Sequence, residues 1–108
     1  MDKELVFYES PTGKIPFQKW LSNIKDFRTQ TKIEIRLNRL IKGNYGDHSS
    51  LRNGVSELRI DYGPGYRIYF GEIKNELVVV LLQGGTKKTQ AKDIELAIQY
   101  WEDYKQRY

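Results

Sequence analysis

The sequence contains no cysteine and a single histidine, His48. Disulfide bonds, thiol nucleophiles and thiolate metal ligands are therefore excluded, and so are metal sites built from several histidines. No apolar run approaches the roughly 18 residues that a membrane-spanning helix needs. The first ten residues, MDKELVFYES, are too charged for a signal peptide, so we expect a cytoplasmic protein with no membrane partner.

The 108 residues that are present suit one globular domain, predicted to span residues 1–108. Hydrophobic residues make up 39% of the chain and charged residues 30%, which is typical of a folded protein and not of a disordered one. We find no repeat, linker or low-complexity segment in the sequence that would divide it.

The net charge of +4 is spread unevenly along the chain. Residues 19–52 carry a surplus of five positive charges, whereas residues 53–108 are balanced. A basic segment of this kind suits a polyanionic surface such as RNA. Solvated outer faces of ordinary helices explain the same charge equally well.

Hydrophobic spacing predicts the order strand, helix, helix, three strands, helix. The predicted elements are a strand in ELVFYES, helices in IPFQKWLSNI and DFRTQTKIEIRLNRLIKG, strands in VSELRIDY, YRIYFGEI and ELVVVLLQGG, and a helix from about Thr89. Asp26 and Gly43 are candidate caps of the second helix. Residues 44–54 are rich in turn formers and are predicted to be a loop. This order indicates an α+β fold: an antiparallel sheet with two N-terminal helices packed on it and a C-terminal helix.

Two arginines occupy one side of a predicted β-hairpin, ELRIDYGPGYRIYF. Strand alternation places Arg59 and Arg67 opposite the apolar residues, on a face that we expect to be open, together with Glu57 and Tyr69. A guanidinium binds phosphate or carboxylate through two parallel hydrogen bonds. The hairpin could therefore hold a phosphate, or the arginines could form ion pairs within the protein.

The segment QGGTKKTQAKD places two glycines and two lysines between a strand and a helix. Backbone N–H groups at the start of a helix favour anions, and Lys87 and Lys88 could neutralise a phosphate there. The segment lacks the spacing of a Walker P-loop. A glycine turn, a threonine cap and two exposed lysines are the simpler interpretation.

The stretches LRNGVSELRIDYGPGYRIYF and VVVLLQGGTKKTQAKDIELA closely resemble the RelE/ParE toxin superfamily, and in particular the HigB-like addiction module killer toxins. The specific part of the resemblance covers residues 51–97. The first 50 residues agree in layout, without a sharp motif. The resemblance implies a RelE-like fold.

The resemblance also implies an activity. RelE-like and HigB-like toxins of type II toxin–antitoxin systems enter the A site of the 30S ribosomal subunit and cut the mRNA, without metal or cofactor. The 2′-hydroxyl of the RNA attacks the adjacent phosphate, and protein cations stabilise the transition state. The catalytic cations of the family fall on Arg59, Arg67 and Lys87. Predicted RNA contacts are Arg52, Lys88, Tyr69, Lys32, Arg36 and Arg39.

The chain departs from the family pattern in its proton-transfer group. Many members place a Tyr or His near the C-terminus, but none of the tyrosines there aligns cleanly, and Lys87, Glu57 and Asp93 remain candidates. The expected partner is a small helix-turn-helix antitoxin. A ParE-like inhibitor of DNA gyrase without nuclease activity is the alternative, because one fold serves both functions.

Overall fold

The structure is a computed structural model that describes residues 1–108. Its strands are β1 (Glu4–Phe7), β2 (His48–Ser50), β3 (Ser56–Ile60), β4 (Tyr66–Ile73) and β5 (Val78–Thr86). Its α-helices are α1 (Pro16–Ser22), α2 (Phe27–Ile41) and α3 (Gln90–Arg107). Single 3₁₀ turns at Lys74–Glu76 and Lys87–Thr89 precede β5 and α3.

The five strands form one sheet in the order β1-β5-β4-β3-β2. Strands β2 to β5 pair antiparallel, but β1 runs parallel to β5. The sheet is therefore mixed, and the expected purely antiparallel sheet is wrong. The strand β1 also precedes α1 and α2, so these two helices are not the N-terminal elements. The predicted loop at residues 44–54 contains the short strand β2.

Helices α1 and α2 cover one face of the sheet. Asp26 caps α2 as predicted, because its carboxylate accepts hydrogen bonds from the backbone N–H of Thr29 at 3.1 Å and from its hydroxyl at 2.7 Å. Apolar residues of both helices meet alternate residues of the strands. The buried core on this side consists of Phe17, Ile33, Leu40, Leu58, Ile60, Ile68, Phe70, Val79 and Leu81.

Helix α3 covers the opposite face, over a second core of Tyr8, Val55, Tyr69, Val80, Leu82, Ala97 and Trp101. Trp101 lies directly on Gly71, where a Cβ would overlap its ring. The uniformly apolar segment ELVVVLLQGG predicts a strand buried on both faces, and this is confirmed, since residues of β5 enter both cores in turn. The prediction that the face of Glu57, Arg67 and Tyr69 is open is wrong, because α3 packs over it.

None of the helices combines the length and the apolar character needed to cross a membrane.

Candidate functional site

The two hairpin arginines lie side by side. Arg59 of β3 is the direct cross-strand partner of Arg67 of β4, so both side chains leave the sheet on the α3 face. The connection between the strands turns at Gly63 and Gly65, which both have positive φ angles that favour glycine. The predicted pairing of the two arginines on one face of a hairpin is therefore confirmed.

Arg59 is bound by neighbouring residues of the protein itself. Its Nε and Nη2 donate to the Asp47 carboxylate at 3.0 and 2.8 Å, and its Nη1 donates to the Ser49 hydroxyl at 2.6 Å. The pKa of Asp47 is lowered by this hydrogen-bonded guanidinium. Nη2 also donates to the His48 carbonyl, and Nη1 donates to Glu57 at 3.2 Å. Arg59 thus fastens β2 to β3, which is the internal pairing that the sequence left open.

Arg67 is nearly buried, with 9% of its surface exposed. Its Nη1 donates to the Tyr66 carbonyl at 3.2 Å, whereas its buried Nε makes no hydrogen bond and lies 3.7 Å from Glu57 Oε1. A buried guanidinium gains from every donor that finds an acceptor. The Arg67 Nε is therefore an unsatisfied donor that faces Glu57 inside the protein, and the expectation that Arg67 points to solvent is wrong.

Lys87 lies next to Arg67 at the hairpin turn. The Lys87 backbone N–H donates to the Gly65 carbonyl at 2.7 Å. A Cβ at Gly65 would lie 3.4 Å from Lys87 Cβ and 3.5 Å from Arg67 Nη1. The ammonium group of Lys87 is exposed and makes no hydrogen bond or ion pair. The structure therefore brings together Arg67 and Lys87, two of the three predicted catalytic cations. Of these two, Lys87 has no hydrogen-bond or ion-pair partner for its side chain.

Glu57 links the two arginines beneath the start of α3. The residue is 2% exposed, and its Oε1 accepts a hydrogen bond from Gln90 Nε2 at 2.6 Å while Oε2 faces Arg59. Sequence reasoning proposed Glu57 only as a candidate for proton transfer and missed its contact with Gln90. Strand alternation places Glu57 on the α3 face of the sheet. No sequence signal indicates which residue of α3 lies against Glu57, so the contact with Gln90 could not be predicted.

Tyr69 is a core residue. It is 0% exposed, and its buried hydroxyl has no hydrogen-bond partner. Burial raises the pKa of Tyr69, and the charges of Glu57 and Asp93 add to that effect. An inaccessible ring cannot contact RNA, so the prediction that Tyr69 contributes to an RNA-binding face is wrong.

Asp93 fastens the first turn of α3 to β5. Its two carboxylate oxygens accept hydrogen bonds from Thr89 Oγ1 at 2.5 Å and from Gln83 Nε2 at 3.2 Å. Gly85 lies directly below, and a Cβ there would overlap the carboxylate. Because these contacts use both oxygens and leave the residue 6% exposed, Asp93 is poorly placed to accept a proton from a ligand.

The other predicted RNA contacts differ in their surroundings. Arg36 donates to the backbone carbonyls of Tyr45 and Asp47, at 3.1 and 3.0 Å, and to that of Arg59. The exposed Arg52 forms an ion pair with Glu95. Lys32 lies 4.7 Å from the centre of the Tyr62 ring. Arg39 and Lys88 are exposed and make no side-chain hydrogen bond or ion pair.

Unpaired lysines gather around the end of β5. The lysines in this group are Lys14, Lys19, Lys87, Lys88 and Lys92, which are all exposed and make no side-chain hydrogen bond or ion pair. This group combines residues from inside and outside the basic segment 19–52, which is why charge counting along the chain missed it. No group of three or more His, Asp or Glu side chains is arranged to hold a metal ion.

The chain is similar to a protein of Haemophilus influenzae (strain Rd) that is described as an uncharacterized protein. The two are 48% identical over 83 residues, which cover 77% of this chain and 83% of the relative. The chain belongs to the family of this protein. No family model matches the chain, and no solved structure does. The description of this relative names no activity.

Proposed function

We propose that this protein is the toxin of a type II toxin–antitoxin system, a RelE/HigB-like endoribonuclease that cuts mRNA on the ribosome. The observation that carries the proposal is the adjoining pair of Arg67 and Lys87 beside the hairpin turn. A guanidinium and a free ammonium group on neighbouring residues suit a phosphate whose charge increases in the transition state.

In the proposed reaction, the 2′-oxygen of the RNA forms a bond to the adjacent phosphorus and the bond to the 5′-oxygen of the next nucleotide breaks. Arg67 and Lys87 would stabilise the charge that builds up on the phosphate oxygens. Of the three candidates for proton transfer, only Lys87 is exposed, since Glu57 and Asp93 are buried with both carboxylate oxygens in contacts within the protein. A water molecule would therefore take the 2′-hydroxyl proton, and the Lys87 ammonium group would donate a proton to the leaving 5′-oxygen. Arg59 would act indirectly, because it holds Glu57 and β2 in place.

The proposed partners are the A site of the 30S subunit with its mRNA, and a small helix-turn-helix antitoxin whose acidic residues would face the basic surface. The proposed location is the cytoplasm, where ribosomes are found. These proposals rest on the resemblance of residues 51–97 to the RelE/ParE superfamily and on the unpaired cations around the end of β5.

A second candidate function is inhibition of DNA gyrase without RNA cleavage. It is favoured by the state of Arg59, whose hydrogen-bonding capacity is taken up by Asp47, Ser49 and Glu57. Arginines held in this way would support the fold of a protein that acts only by binding.

Mapping the 5′ ends of cellular mRNAs after induced expression tests the proposal. We expect new 5′ ends in translated mRNAs and an arrest of translation before replication. Lys87→Gln should melt like the parent, because the side chain is exposed, and should lower cleavage by about 10²–10³-fold. Lys74→Gln, which removes an exposed lysine far from the hairpin turn, is the matched control and should cleave normally.

Arg67→Ala should also abolish cleavage, but with a loss of stability of about 1–3 kcal/mol, because it leaves Glu57 buried with one cation fewer. Arg67→Lys should restore part of the activity, since an ammonium lacks the planar fork. Intact mRNAs together with an early arrest of replication would favour the gyrase inhibitor instead.

A further inference from the structure

A cleft of about 550 Å³ lies between α1, the end of β5 and the first turns of α3. Gly84 and Gly85 form part of its floor. Trp20 packs directly on Gly84 from one side, and Asp93 packs on Gly85 from the other. Arg67 and Glu57 do not line this cleft, but they lie next to it, because Gly85 is the cross-strand partner of Arg67.

The charge that lines this cleft is positive and unbalanced. Lys14, Lys19 and Lys92 line it, and none of the three side chains makes a hydrogen bond or ion pair. Asp93 is the one carboxylate in the lining, and its oxygens are occupied by Thr89 and Gln83. Three lysines without a carboxylate partner make the cleft attractive to an anionic ligand.

Beside aliphatic side chains, the walls carry aromatic and amide groups. Trp20 and Tyr100 are half-buried, and Tyr100 uses one ring face to stack on Tyr8, at 4.9 Å between ring centres. The Asn23 side chain also lines the cleft and makes no hydrogen bond. Aromatic rings stack on bases, amides hydrogen-bond to base edges, and lysines neutralise phosphates. An acidic peptide would use the lysines but would leave the aromatic and amide groups without a role.

We infer that this cleft binds a nucleoside phosphate, with the base near Trp20 and Tyr100 and the phosphate on Lys14, Lys19 and Lys92. The ligand is a free nucleotide or one unit of a single-stranded RNA. Lys87 and Lys88 lie in the 3₁₀ turn between the cleft and the hairpin turn, so an RNA strand could cross both places. Only that last connection rests on the proposed function, since binding in the cleft is measured without ribosomes and without cleavage.

Fluorescence anisotropy of a labelled single-stranded RNA hexamer with the full chain tests this inference. The triple variant Lys14→Gln, Lys19→Gln, Lys92→Gln should bind at least about tenfold more weakly. The slope of log K against log salt concentration should be shallower by about 2 for this variant. Each phosphate contact contributes about 0.7 to that slope, and three lysines are replaced. The control variant Lys42→Gln, Lys74→Gln, Lys105→Gln removes the same charge from exposed positions elsewhere and should bind almost like the parent.

Tryptophan fluorescence supplies a second measurement. Trp101 is 4% exposed, so quenching on addition of RNA or AMP should come from Trp20, and Trp20→Phe should remove it. Quenching by AMP as strong as that by the hexamer would identify a free nucleotide as the ligand, and quenching by the hexamer alone would identify an RNA strand. The inference is overturned if both triple variants weaken binding equally, or if a polyglutamate peptide binds the cleft and RNA does not.

Discussion

Arg36 shows how a basic residue on an outer helix face can serve the fold. Its guanidinium donates to the carbonyls of Tyr45, Asp47 and Arg59, and so fixes the segment before β2 against the end of β3. Hydrogen bonds from a charged donor contribute about 1.5–3 kcal/mol in mutational series. Arg36 is therefore a poor choice for a charge-reversal test of RNA docking, because its loss would affect the fold as well.

Replacing Arg36 with Gln should lower the free energy of unfolding by about 2–4 kcal/mol, because three carbonyl contacts are lost together. Arg39→Gln, one turn further along α2, removes the same charge from a side chain without partners and should change stability by less than about 0.5 kcal/mol. Urea denaturation of both variants measures the difference. Equal midpoints for the two would show that the Arg36 contacts contribute little.

At the level of elements, the C-terminal helix is tied to the start of the chain. Tyr8, directly after β1, donates a hydrogen bond to Asp103 of α3 at 2.6 Å, and Arg107 donates to the same carboxylate. Burial raises the pKa of Tyr8 to about 12, and the hydrogen bond to Asp103 adds to that effect. The unfolded chain loses this proton near pH 10, two pH units earlier than the folded protein.

Because the folded pKa of Tyr8 is the higher one, its contribution to stability is complete below about pH 10 and is lost as the pH rises towards 12. The loss amounts to about 2–3 kcal/mol for a shift of this size.

Tyr8→Phe should therefore be less stable than the parent at pH 7 but lose less stability between pH 10 and 12. The raised pKa of Tyr69 remains in both proteins and gives a common background. Thermal melting of both proteins between pH 7 and 12 checks the prediction, and Tyr108→Phe at the exposed C-terminus is the control. Parallel curves of melting temperature against pH for Tyr8→Phe and the parent would contradict it.

The sequence predicted elements well where local patterns determine them, and less well where distant contacts do. Alternation placed Arg59 and Arg67 on one face, and the helical spacing of Ile94, Ala97, Ile98 and Trp101 predicts a buried stripe on the C-terminal helix. Neither pattern says that this stripe covers that same face, since the packing joins residues far apart in the chain. The strand β2 was missed because its three residues lie among turn formers and are held by the side chain of Arg59. The parallel pairing of β1 with β5 likewise has no local signature.

At the level of the whole molecule, basic residues without hydrogen bonds or ion pairs are concentrated mainly in two places. One is the outer side of α2, with Lys32 and Arg39, and the other is the group of lysines around the end of β5. Ribosomal RNA presents a continuous surface of phosphates, and contacts to phosphates are independent of sequence. If this protein acts on the ribosome, the α2 surface is suited to docking, while the end of β5 lies beside Arg67 and is suited to the substrate.

The double variant Lys32→Glu, Arg39→Glu tests this division, because both residues are exposed and neither forms an ion pair. We expect it to fold with a stability within about 1 kcal/mol of the parent, allowing for the lost contact of Lys32 with Tyr62. Binding to purified 30S subunits, measured by co-sedimentation at increasing salt, should weaken strongly, because two favourable charges become repulsive. Lys74→Glu, Lys105→Glu makes the same change of charge on another side of the molecule and should sediment like the parent. If both double variants weaken binding to the same extent, the net charge of the protein governs docking and the α2 surface does not. If neither variant weakens binding, the protein does not dock on the ribosome through the α2 surface.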